Sequence, residues 1–132
     1  MADPSITPHV SEAGRVLMRD TDQLALAVTD RLFRESPELF DKYGQRGYEK
    51  CLQDMRYNVQ HLVPAVDMAD PSMFTRYIEW LDELLRARNV PTRETLRCLE
   101  LLRNEVFTRY KRAEVDAINA VLDAGIAVVQ PK

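Results

Sequence analysis

Apolar residues recur along this chain at i, i+3, i+4 and i+7, and no stretch alternates apolar and polar residues at period two. Phe74, Tyr77, Ile78, Leu81, Leu84 and Leu85 form one such stripe. Leu99, Leu102, Val106 and Tyr110 form a second, and Val115, Ile118, Leu122, Gly125 and Val129 a third. Each stripe covers one side of a helix, the side that must be buried. A half-buried strand needs period two, so the pattern predicts an all-α fold of six or seven helices. Glycine is rare, with 4 residues in 132, which also argues against a strand-and-turn architecture.

Capping chemistry divides the helices. Residues 1–7 read as a short tail, and a helical domain is expected over 8–130. A first helical region runs from Pro8 to Arg19 and a second from 22 to 34, carrying Leu24, Leu26, Val28, Leu32 and Phe33. Ser36 as N-cap with Pro37 in the first turn starts a short helix that Gly44 stops. The next runs from Gln45 to Met68, with Pro64 expected to kink it. Asp70 caps a helix over 71–88, with Pro71 at its first position, and Thr92 is read as the cap of the next. The last begins near Arg112, although nothing in "FTRYKRAEV" marks the break.

Composition excludes several roles. The net charge is −3 with acidic and basic residues interspersed, which does not suit a nucleic-acid partner. No apolar run is long enough to cross a bilayer, and no basic-then-apolar leader is apparent, so a cytoplasmic protein is expected. The two cysteines, Cys51 and Cys98, have no second Cys or His at ligand spacing, so no metal site is predicted. There is no Ser/His/Asp arrangement and no Gly-rich phosphate loop, which argues against an enzyme.

The most informative stretch is "KCLQDMRYNVQHL", residues 50–62. Successive helical residues turn by about 100°. Tyr48, Leu52, Met55, Val59, Leu62 and Val66 then fall on one arc, the core-facing side. Cys51, Asp54, Asn58 and His61 fall on an adjacent arc, where a cleft would be lined. Gln53, Arg56 and Gln60 face away. Periodicity alone leaves two meanings open. A cysteine beside an apolar stripe is commonly a small buried hydrophobe, and an aspartate on a helix flank a solvated charge. A haem is disfavoured, because His61 is the one axial-ligand candidate in the helical body.

The segment "CLQDMRYNVQ" resembles the chromophore-attachment segment of phycobiliproteins, a Cys-Leu-Arg-Asp pattern followed by an aromatic-containing run. Downstream, "MADPS" and "NVPTRET" resemble the turns that open the family's next two helices. The resemblance is good from residue 45 to 106. The shorter leading helices make the chain more similar to small bacterial paralogs of phycobiliproteins, globin-fold proteins associated with bilin metabolism.

That resemblance implies a globin-like fold and a linear tetrapyrrole, biliverdin or a reduced bilin. It implies that Cys51 is the attachment point if the bond is covalent, that Asp54 bonds the inner pyrrole nitrogens, and that Arg46 meets a propionate. Gln53 stands where the family has arginine, and Leu85 where it commonly has tyrosine. A protonated bilin shares positive charge over its inner N–H groups, which a carboxylate can receive. Propionates want cations at the rim; Lys50 is placed for this, with Arg76 and Arg86 on the following helix. Tyr77, Trp80 and Leu84 are candidate pocket walls, with Asn58 and His61 further along the flank. The pocket is expected between the helices at 45–68 and 71–88. Cys98 falls in no matching motif and is expected to play no part.

Two functions are therefore expected from different classes. One is a bilin-binding carrier or sensor, expected as a homodimer. The alternative is a cofactor-free module of the same fold, used for dimerisation or partner docking in bacterial stress or sensory signalling. Its candidate surface is the heptad-spaced stripe from Val115 to Val129.

Overall fold

The computed structural model describes residues 11–131. It contains six helices: α1 (Glu12–Arg19), α2 (Thr21–Glu35), α3 (Glu38–Asp67), α4 (Pro71–Ala87), α5 (Thr92–Arg109) and α6 (Arg112–Val129). Among the described residues there is no strand, as the periodicity predicts. The expected tail, Pro8 and His9 lie outside the described residues.

The long α3 is a bent element. Gly44 has φ 69° and ψ −168°, a backbone region open essentially to glycine, and it divides a short leading arm from the helix that carries Cys51 and Asp54. No atom lies within 4 Å of a Cβ built at Gly44, so conformation rather than space selects glycine there. The stop expected at Gly44 is thus a bend. Backbone dihedrals stay helical through Pro64, where the kink was expected.

The other boundaries follow local hydrogen bonding. Asp70 caps α4 as expected, its carboxylate accepting from the Ser72 N–H at 3.1 Å. Thr92 and Ser36 do not cap. Pro91 holds the N-cap of α5 with Thr92 as the first helical residue, and Pro37 holds that of α3, neither with a side-chain bond. The unmarked break before α6 is fixed by Glu114, which accepts the Lys111 N–H at 3.0 Å. Helices α3 and α4 each end with two reversed backbone bonds. Asp70 N–H reaches Ala65 O and Ala69 N–H reaches Val66 O; likewise Val90 reaches Leu85 and Asn89 reaches Arg86. Ala69 and Asn89 accordingly take positive φ, 50° and 64°.

The core is continuous through all six helices. Phe74 and Ile78 of α4 pack against Gly125 of α6, and α6 also packs on α5. A Cβ on Gly125 would lie 2.5 Å from the Phe74 ring, so the close crossing of α4 and α6 depends on that glycine. Val115, Ile118, Leu122, Gly125 and Val129 are all buried within this one chain. That corrects the idea of the stripe as a docking surface: its apolar side is already covered by α4 and α5. Leu26, counted with the apolar positions of the second helix, is 46% exposed. Helix α1 is tied down at its start. The Ser11 hydroxyl donates to Asp67 Oδ1 at 2.6 Å and accepts from the Gly14 N–H.

Candidate functional site

One turn of α3 places Cys51 and Asp54 side by side, because residues three apart lie on the same helix face. Both line an inner cleft of about 590 Å³, a size that suits a small-molecule ligand. Its walls come from four helices. Leu32 and Phe33 of α2 face Leu81 and Leu85 of α4, and Thr95 and Cys98 of α5 close one side. Arg46 and Lys50 stand at the rim on α3, both exposed.

A second groove, of about 670 Å³, runs between α3 and α4. Tyr57, His61, Tyr77 and Trp80 line it, with Arg76 and Leu84. The two spaces meet at Lys50, Asp54, Leu81 and Arg88, which border both. The pocket expected between α3 and α4 is therefore the outer part of a larger, two-chambered site that also reaches α2 and α5.

Asp54 stands at the junction. It is half-buried, and burial pushes its pKa above the usual carboxylate range, with the charges of Lys50 and Arg88 acting the other way. Among the described residues no donor is hydrogen-bonded to it. Arg86, the expected rim cation, is instead paired with Asp82 at 3.2 Å. Arg88 takes its place. It sits at the end of α4, where the reversed bonds of that terminus turn the chain back and bring Val90 into the inner cleft.

The aromatic wall is built by stacking. The His61 and Tyr77 rings lie parallel, 3.8 Å apart between centroids and 8° between planes. The Tyr77 hydroxyl donates to Asn58 Oδ1 at 2.8 Å, and burial pushes its pKa far up, so it stays a donor. Asn58 is buried and occupied with this bond; it fixes Tyr77 more than it offers a free polar group. His61 Nδ1 lies 2.8 Å from Tyr57 O, which leaves its other ring nitrogen facing outward. Trp80, 58% exposed, stands at the groove's edge.

Cys98, which falls in no matching motif, is brought to the same cleft by α5. It lines the inner cleft together with Cys51, and the two thiols act on each other's titration. The neighbouring Cys98 thiol holds Cys51 below the usual thiol value, against burial. Cys51 and burial in turn push Cys98 well above it. Thr29 of α2, whose buried hydroxyl has no hydrogen-bond partner among the described residues, lies close enough to Cys51 to favour its charged form. A motif centred on α3 carries no signal for a thiol delivered by α5. Among the described residues no group of three His, Cys, Asp or Glu side chains has metal-site geometry.

The all-α domain thus carries a two-chambered cleft with a half-buried carboxylate at its centre and cations at its rim, dimensions and chemistry that an elongated, amphipathic ligand would fit. The family model described as "Phycobilisome protein" matches residues 9–129, and the chain belongs to that family. It is similar to allophycocyanin subunit beta-18 of Cyanophora paradoxa, 26% identical over 115 residues that cover 83% of this chain and 68% of that protein. The globin-like all-α fold expected from the sequence is that of the family.

Proposed function

We propose that the chain binds a linear tetrapyrrole, biliverdin or a reduced bilin, as a carrier or sensor and without turnover. The observation that carries this reading is Asp54: a half-buried carboxylate with no hydrogen-bond donor among the described residues, at the meeting point of two chambers. A protonated bilin supplies what is missing, inner N–H groups that share a positive charge. Its propionates would reach Arg46, Lys50 and Arg88 at the rim, and its rings would lie against Leu81 and the His61–Tyr77 stack. Cys51, one turn before Asp54, is positioned to form a thioether to an end ring while the carboxylate holds the centre. Membership of the phycobilisome protein family supports the same ligand class. The alternative, a cofactor-free docking module, loses its candidate surface, since the α6 stripe is buried in the chain's own core.

Co-expression with a bilin-producing pathway is the direct test. A purified protein with a visible absorption band is expected, and colourless protein from pigment-producing cells would refute the reading. If the bond is covalent, Cys51→Ala should shed the pigment on denaturation while keeping its helical content. Asp54→Asn should keep some pigment but lose charge-assisted bonds of about 1.5–3 kcal/mol each. The long-wavelength band should then weaken at lower pH than in the wild type.

A further inference from the structure

Two thiols from different helices meet in the inner cleft. Cys51 on α3 and Cys98 on α5 are both free and both line the same cleft, close enough that each thiol shifts the other's titration. The exposed cations Arg46 and Lys50 stand at the mouth through which a small anionic oxidant would enter. Reactive cysteines are found in partly open places, whereas inert ones are sealed in apolar cores; here Cys98 lowers the Cys51 pKa while Asp54 and Glu94 act the other way.

We propose that Cys51 and Cys98 are a redox pair that interconverts between free thiols and a disulfide spanning the inner cleft, with a low-molecular-weight disulfide as oxidant. Cys51 gives its proton to solvent, and its thiolate attacks one sulphur of the oxidant RS–SR. A Cys51–SR mixed disulfide forms, the S–S bond of the oxidant breaks, and RS⁻ leaves and takes up a proton. Cys98 is then the resolving thiol. It loses its proton and attacks the Cys51 sulphur, forming the protein disulfide and expelling the second RS⁻. In sum, two protein thiols are oxidised by two electrons and one small disulfide is reduced to two thiols. Excess small thiol runs the sequence backwards.

The pair stands whether or not a pigment binds. Its consequence for pigment rests on the function proposed above: a sulphur held in the disulfide cannot form a thioether, so oxidation closes the attachment point and reduction reopens it.

The test uses pigment-free full-length protein, purified reduced and then exposed to oxidised glutathione. Wild type is expected to lose both alkylatable thiols and two hydrogens in intact mass, and to yield a linked Cys51–Cys98 peptide. Cys98→Ser should instead retain glutathione on Cys51, since no thiol resolves it; Cys98→Ala serves if the serine variant loses helical content. Wild type carrying glutathione on Cys51 with no linked peptide, or keeping both thiols alkylatable, would overturn the pair. A second arm adds biliverdin or a reduced bilin to the reduced and the disulfide forms. Pigment that survives denaturation in the reduced form alone supports closure. Equal attachment in both forms overturns closure. Attachment in neither overturns the covalent bilin reading and leaves the disulfide, already scored, intact.

Discussion

Asp54 works against the fold that holds it. Its pKa is higher folded than unfolded because burial disfavours the charge. The folded chain therefore holds that proton more tightly than the unfolded one. The resulting stabilisation is fully present in acid, below the unfolded value, and is lost as pH rises through the folded value. At neutral pH the carboxylate is a net cost. Asp54→Asn is expected to melt a few degrees higher than wild type at pH 7 in the pigment-free state, with the gap closing in acid; calorimetry across that range checks it, and a lower melting temperature at pH 7 would contradict it. Cys51 and Asp54 were legible in the sequence because one helical period puts them on one flank, whereas Arg46 came from the resemblance to phycobiliproteins and Lys50 from the need of a propionate for a cation. Cys98, Arg88 and the bond that occupies Asn58 were not legible. They depend on where α5 and the end of α4 come to rest, which local periodicity does not encode.

Among the elements, α3 and α6 each turn on a glycine. Gly44 holds a conformation that a side chain adopts only under strain, so Gly44→Ala should cost about 1–3 kcal/mol although nothing crowds the new methyl group. It should also loosen the arm that brings Leu39 and Tyr43 over the inner cleft. Gly125→Ala fails for the opposite reason. The backbone is ordinary helix, but the methyl group meets a fully buried Phe74 ring. Overpacking of about 1–3 kcal/mol is expected, offset in part by the helix propensity of alanine, about 1 kcal/mol. Chemical denaturation of the two variants should show both losses; a Gly125→Ala protein more stable than wild type would contradict the packing argument. The sequence predicted six or seven helices, and six are present among the described residues, because stripes and proline-marked starts are local signals. Thr92 and Ser36 misled because the helices start without a side-chain cap, held by neighbouring backbone carbonyls.

At the scale of the whole molecule, several large apolar side chains remain outside the core: Met18 and Met68 at 55% and 70% exposed, Trp80 at 58% and Phe107 at 70%. The homodimer expected from the sequence would cover part of this surface. Light scattering at micromolar concentration should return twice 15.3 kDa, and 15.3 kDa itself would contradict it. Among the described residues no helix is long and apolar enough to cross a membrane. The inner cleft has a different consequence. Because α2, α3, α4 and α5 all face it, those helices look at one another across open volume. Whatever fills that volume becomes a keystone, touched from four sides. Occupancy and folding are then a single equilibrium. At a free ligand concentration of 100 times Kd the occupied chain gains about 2.7 kcal/mol. Bound pigment should raise the melting temperature and slow amide exchange in α2 and α5 as much as in α3. A pigmented protein that melts and exchanges like the colourless one would have its ligand lying in the outer groove, braced by α3 and α4 alone.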